Sequence, residues 1–139
     1  MNKNTIKISG YASLYNIQDY HNDVIKPGAF DEEVQLFHKH QKKLRLFVNH
    51  NIHCPIAKII QLTSDHKGLY MEAAIDANHY NEDLIYQLKN DLINDLSVGI
   101  IPTKFHNEKN IRVITKAQLL EVSLVTIGAN PQAKLDAVE

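Results

Sequence analysis

Short β-rich runs separated by turn residues make up most of this 139-residue chain, and they constrain its fold more than any other feature. The runs are rich in β-branched and aromatic residues and are bounded by glycine, proline, asparagine or aspartate, which is typical of strands. The strands predicted in this way cover residues 6–15, 44–48, 55–63, 68–76, 96–105, 111–119 and 120–126. The sequence therefore predicts a mainly β protein.

Two segments instead have apolar residues at helical spacing. The first covers residues 30–42, and its basic far end suits a helix C-terminus. The second covers residues 80–93, with Asn78 or Asn81 as its N-cap. Its apolar face consists of Tyr80, Leu84, Leu88 and Leu92. With several strands and two helices, we expect an α+β arrangement in which a closed or nearly closed β-barrel is flanked by helices.

Composition limits the classes of partner. The chain has 15 Lys+Arg against 16 Asp+Glu and a net charge of −1, so charge gives no reason to expect a nucleic acid or an anionic membrane. One cysteine cannot form an internal disulfide, and residues 1–15 lack the apolar segment of a signal peptide, so we expect a reducing, cytoplasmic compartment. No linker or repeat divides the chain, and no apolar run is long enough for a membrane span. We expect one soluble domain over residues 1–139, without a cofactor.

The segment RLFVNHNIHCPIAKI, residues 45–59, holds two histidines and the only cysteine. A zinc site is disfavoured, because His50 and His53 follow a predicted strand, Pro55 comes next, and further cysteine ligands are missing. Cys54 as a nucleophile would need a nearby base, and an unpaired cysteine beside proline is more often a small buried apolar residue. A solvated strand end is a further alternative. The segment alone leaves these alternatives open.

A serine lies where a predicted strand begins. Ser97 opens an apolar run in which Gly99 permits close approach of another backbone. The nucleophile elbow of α/β-hydrolases is excluded, because Asp95 occupies the position of its first glycine. Ser97 is thus either a nucleophile on another scaffold or a strand hydroxyl satisfied by the backbone.

An acidic residue lies on the last predicted strand. Alternation places Leu120, Val122 and Leu124 on one face of the strand, and Glu121 and Ser123 on the other. Glu121 would therefore be a carboxylate held on a rigid strand, although a glutamate in such a position often only faces solvent.

The residues after this strand predict a turn and an anion site. Gly128 and Ala129 form the turn, and Asn130 and Pro131 are typical of the N-cap and first residue of a short terminal helix. Backbone N–H groups that run into a helix N-terminus suit an oxyanion, so the amides of Gly128 and Ala129 are the candidate donors.

Four segments, in their order and spacing, resemble the prohead (capsid maturation) serine protease family of tailed bacteriophages, which is similar to the herpesvirus assemblin proteases. They are GYASLYNIQDYHNDVIKPGAF, LFVNHNIHCPIAKI, LSVGI and LLEVSLVTIGANPQA. By position, the histidine of the family's N-H motif falls on His50, the nucleophile of its L-S-[IV]-G motif on Ser97, and the acidic residue of its L-x-E-[VI]-S-L-V motif on Glu121. His53 and Cys54 match no functional position.

The resemblance implies a serine endopeptidase on an assemblin-like closed β-barrel surrounded by helices. Its substrates would be capsid-protein and scaffold segments, and the protease itself. It would act inside the immature procapsid, in the cytoplasm of a bacterial host, as a homodimer or higher homo-oligomer. The alternative is a catalytically inactive β-barrel that binds capsid or scaffold protein.

Overall fold

The computed structural model describes residues 4–139, in which strands dominate and two helices are inserted. In chain order the elements are β1 (Thr5–Leu14), β2 (Asp23–Ile25), α1 (Asp31–His38), β3 (Arg45–Val48), β4 (Asn51–Ser64), β5 (Gly68–Asp76), α2 (Glu82–Lys89), β6 (Asp95–Glu108), β7 (Ile111–Val125) and β8 (Leu135–Val138). The mainly β class is confirmed. Residues 111–125 form one strand, where the sequence predicts two.

Both predicted helices form, and both are shorter than predicted. The first ends early because the chain reverses at His40, whose φ of 57° is left-handed and incompatible with a continuing α-helix. In the second, Leu84 and Leu88 are buried as predicted. Tyr80 lies before this helix and Leu92 after it, and both side chains are exposed.

The terminal helix predicted from Asn130 is wrong. A turn forms there instead, closed by a 3.1 Å hydrogen bond from the Ala133 N–H to the Asn130 carbonyl. The chain then enters β8, which pairs antiparallel with β1. Hydrogen bonds to this sheet edge and the burial of Ala133 outweigh the local capping signal of the Asn-Pro pair.

The strands form one sheet in the order β2-β7-β3-β4-β5-β1-β8, with β6 paired to β7 beside this path. Only an isolated bridge between Asp95 and Lys134 links the start of β6 to the chain just before β8. The described strands thus form an open hydrogen-bonded path, and the predicted closure of the barrel is not confirmed. After this single bridge the chain turns away from β6 and pairs with β1 as β8, which leaves the path open.

A rigid core supports the ends of β3 and β7. These strands run parallel, with Leu46 paired to Val122 and Val48 to Leu124. Leu46, Val122 and Leu124 are fully buried, and each such side chain contributes about 1.5–3 kcal/mol through apolar burial. The backbone where β3 ends is therefore held firmly against β7. No helix within residues 4–139 is long and apolar enough to cross a membrane.

Candidate active site

His50 lies in a tight turn that is hydrogen-bonded to β7. Asn49 and His50 are the two residues between β3 and β4, flanked by the paired residues Val48 and Asn51. Their φ angles are 50° and 58°, the positive values that a type I′ hairpin turn requires. The Asn49 N–H donates to the Leu124 carbonyl at 2.8 Å. This turn projects the imidazole from a fixed backbone.

Two further hydrogen bonds fix the turn. The Thr126 N–H donates to Asn49 Oδ1 at 3.1 Å, and the His50 N–H donates to Ser123 Oγ at 3.2 Å. Asparagine is one of the few residues that adopts the left-handed conformation readily, which explains the residue type at position 49. Both turn residues are therefore bonded to the C-terminal part of β7 or the residue just after it.

Ser97 lies on β6, directly opposite Ser123 of β7. Its side chain is largely buried, and its Oγ lies 3.1 Å from Nε2 of His50, which is 47 residues away in the chain. This is hydrogen-bonding distance between a hydroxyl and a potential base. The structure therefore brings together two of the residues that the sequence predicts for the site.

Glu121 on β7 is the third residue that the sequence predicts for the site. Its Oε1 contacts His50 Nδ1, and its Oε2 accepts a 2.6 Å hydrogen bond from the Ser123 hydroxyl. The residue is nearly fully buried. Each carboxylate oxygen thus has a partner, which satisfies a group that would be costly to bury unpaired.

A β-bulge directs Glu121 into the site. Gly99 pairs with Glu121 but Ile100 pairs with Leu119, so Leu120 is the extra residue of the bulge. The prediction that Leu120 shares the buried face of Val122 is wrong, because Leu120 is 55% exposed. Glu121 and Val122 are both buried, because both faces of β7 are covered after the bulge.

A small cavity of about 30 Å³ adjoins Ser97. Ala129 and Asn130, from the turn after β7, line it together with Asp19, which precedes β2. Burial raises the pKa of the Asp19 carboxyl, and hydrogen bonds from two backbone N–H groups partly oppose this effect. The turn after β7 thus lies beside the candidate nucleophile, where the sequence predicts an oxyanion site.

The two candidate oxyanion donors differ in their surroundings. The Gly128 N–H donates to Asp95 Oδ2 at 3.1 Å, so this amide is already engaged. Ala129 lines the cavity beside Ser97, and its carbonyl accepts a 2.9 Å hydrogen bond from the Tyr20 N–H. Of the two amides, that of Ala129 is therefore the better candidate in this conformation.

The other residues of the histidine segment lie apart from this series of contacts. His53 is exposed on β4, where its N–H donates to Asn51 Oδ1 at 3.0 Å. Cys54 is partly buried and lines a different cavity, shared with residues of α2. Across residues 4–139, no three His, Cys, Asp or Glu side chains are placed to hold a metal ion.

The sequence profile of the Caudovirus prohead serine protease family matches residues 1–139. The chain belongs to this family. The prohead protease of Enterobacteria phage HK97 is 32% identical to it over 142 residues, which are 94% of this chain and 59% of that relative. This member of the family therefore spans about three fifths of the length of the curated relative it matches.

Solved structures of other viral proteases share the fold of this chain. The bacteriophage T4 capsid assembly protease superposes with a TM-score of 0.71 at 10% identity, covering 86% of this chain and 80% of the other. A KSHV protease bound to a hexapeptide phosphonate inhibitor gives a TM-score of 0.66 at 11% identity, with coverages of 94% and 63%. Varicella-zoster virus protease gives 0.58 at 15% identity, also with 94% and 63%. The assemblin-like fold is confirmed.

Sequence reasoning missed the roles of two residues. Strand alternation placed Ser123 on the face of Glu121, but nothing in the sequence showed that its hydroxyl contacts both Glu121 and the backbone of His50. The sequence predicts close approach of a backbone to Gly99, whereas the group that approaches it is the Glu121 side chain. The i, i+2 relation of Glu121 and Ser123 was the available signal.

Proposed function

We propose that this prohead protease family member is an active serine endopeptidase that uses Ser97, His50 and Glu121 as its catalytic triad. The observation that carries the proposal is the continuous series of contacts from Ser97 Oγ through both ring nitrogens of His50 to the Glu121 carboxylate. A triad is recognised by such geometry and not by the order of its members in the chain.

The geometry suits general-base catalysis of acyl transfer. As Ser97 Oγ attacks the scissile carbonyl carbon, Nε2 of a neutral His50 takes the hydroxyl proton and then delivers it to the leaving amine. In the second step His50 takes a proton from water, which attacks the acyl-enzyme. The proton then returns to Ser97 Oγ as the carboxylic acid leaves. Glu121 accepts a hydrogen bond from Nδ1–H, so it holds the productive tautomer and stabilises the imidazolium.

The oxyanion of the tetrahedral intermediate would be stabilised from the turn after β7. The cavity shared by Ser97 and Ala129 supports this location. The Ala129 amide would serve as one donor, and the Gly128 amide would join it only if Asp95 Oδ2 released it. Each well-placed donor of this kind contributes about 10²–10³-fold to turnover.

The substrates would be capsid-protein and scaffold segments inside the immature procapsid of a bacterial host, and the protease would also cleave itself. Family membership and the names of its relatives, a prohead protease and a capsid assembly protease, support this assignment. The protease would act as a homodimer or higher homo-oligomer.

A fluorophosphonate probe tests the proposed nucleophile, because it reacts covalently with an activated serine. The parent protein, Ser97→Ala and Cys54→Ala should be compared at equal concentration, with circular dichroism to confirm that each is folded. We expect labelling of the parent and of Cys54→Ala and none of Ser97→Ala. Folded parent protein that does not label, or labelling that survives in Ser97→Ala, would contradict the proposal.

A further inference from the structure

Ser123 is a fully buried hydroxyl whose hydrogen bonds both go to members of the candidate site. It lies on β7 with 0% of its surface exposed, opposite Ser97 on β6. A buried strand hydroxyl is usually satisfied by nearby backbone of no special function. Here it donates to Glu121 Oε2 at 2.6 Å and accepts from the His50 N–H at 3.2 Å.

These contacts close a ring. The His50 side chain contacts Glu121, Glu121 contacts Ser123, and Ser123 contacts the backbone of His50 again. The carboxylate is thereby fixed at both oxygens, and the turn that carries the imidazole is tied to the same hydroxyl. One side chain thus couples the orientation of the carboxylate to the position of the base.

We propose that Ser123 is a positioning residue for the peptidase reaction, holding Glu121 and His50 in their productive arrangement before substrate binds. The inference rests on the proposed function of Ser97, His50 and Glu121. Ser123 touches neither the substrate nor the Ser97 hydroxyl in this role. Side chains that hold catalytic groups in place before substrate binds keep the reacting atoms within the narrow range of distances and angles that catalysis requires.

Removing the hydroxyl has a predictable effect on protonation as well as on position. His50 and Glu121 are the titratable groups that Ser123 contacts. The hydroxyl stabilises the pair most when His50 is neutral and Glu121 is ionised, because the pair then carries a net negative charge. Without that donor the pair takes up a proton at higher pH, so the low-pH limb of the kcat/KM profile moves to higher pH.

The test compares Ser123→Ala with Ser9→Ala. Ser9 is also a buried strand serine that donates to a carboxylate, Asp136 Oδ1 at 3.3 Å, but it lies on β1 outside the site. We expect Ser123→Ala to lower kcat about 10- to 100-fold with KM within about twofold, and to move the low-pH limb upward. Ser9→Ala should match the parent in kcat, KM and pH profile.

Ser123→Cys keeps the test decisive if the alanine variant does not fold. A thiol nearly preserves the side-chain volume but is a weak donor and acceptor, so the folded cysteine variant should show the same loss of kcat and the same pH shift. A folded Ser123 variant with kcat within twofold of the parent and an unchanged pH profile would overturn the positioning role. If Ser97→Ala retained hydrolysis, the proposed function would fail instead, which separates the two outcomes.

Discussion

Gly99 lies opposite Glu121 across the β6–β7 pair, and a Cβ built on Gly99 would lie 2.6 Å from Glu121 Oε1. That oxygen is the one that contacts His50 Nδ1. Glycine at position 99 is therefore what leaves the carboxylate room to reach the imidazole.

Gly99→Ala should inactivate the enzyme without unfolding it. The atoms that a new methyl group meets belong to the Glu121 side chain and not to the backbone, so the carboxylate will be displaced and lose its contact with His50. We expect kcat to fall about 10²-fold or more, since a small misplacement of a catalytic group has effects of this size. Peptide hydrolysis and thermal unfolding measure the two effects. Thr103→Ala, an exposed change on the same strand, should alter neither.

Glu121→Gln should lower turnover by about 10²–10⁴-fold, because an amide loses the charge that stabilises the imidazolium and accepts the wrong tautomer. KM should change little, since Glu121 is buried beneath His50 and does not contact substrate in the proposed mechanism. Steady-state kinetics separate the two constants. Turnover of Glu121→Gln within twofold of the parent would remove Glu121 from the mechanism.

Ser97→Ala should abolish peptide hydrolysis and self-cleavage while the fold persists. The hydroxyl hydrogen-bonds only to His50 Nε2 among the contacts described, so its loss removes the proposed nucleophile and little packing. Cys54→Ala is the matched control, because it removes the other candidate nucleophile from a side chain outside the site. Activity and unfolding of both variants should be measured together. Hydrolysis that depends on Cys54 and not on Ser97 would reverse the assignment.

Much of the fold was predictable because its signals are local. Residues 68–76 form a strand with the predicted bounds, since a glycine opens the run and alternating apolar residues continue it. Nothing in the sequence indicated that the predicted terminal helix is absent. The strand that replaces it depends on pairing between β8 and β1, whose residues are more than 120 positions apart, such as Ile8 and Val138. Tertiary hydrogen bonds of this kind override local propensity.

The candidate site was also predictable only in part. The motifs identified His50, Ser97 and Glu121 as candidates, but not the geometry that joins them. The bulge at Leu120 depends on the register of the partner strand, which a single sequence does not reveal. The turn at Asn49-His50 was also missed, because a two-residue hairpin turn is usually signalled by glycine after asparagine.

Ile127→Asp should weaken substrate binding without slowing the chemical step. Ile127 is 82% exposed in the turn after β7, between Thr126, which is bonded to the Asn49 side chain, and Gly128. The same turn contains Ala129, which lines the cavity at Ser97, so an exposed apolar side chain in it is suited to contact a peptide substrate. We expect KM to rise about 3- to 10-fold with kcat unchanged. Ile60→Asp, at an exposed apolar position farther along β4, should leave both constants unchanged. A fall in kcat alone would contradict this role.

His50→Gly should be inactive yet more stable than His50→Ala. His50 has a φ of 58° in its turn, and a left-handed conformation costs a residue with a Cβ about 1–2 kcal/mol that glycine does not incur. Both variants lose the imidazole and its contacts equally, so their difference isolates this backbone cost. We expect the glycine variant to have a free energy of unfolding about 1 kcal/mol higher in urea titrations. His53, on the neighbouring strand and without a positive φ, provides the control pair, and there alanine should be more stable than glycine. If alanine were the more stable residue at both positions, backbone strain at the proposed base His50 would be refuted.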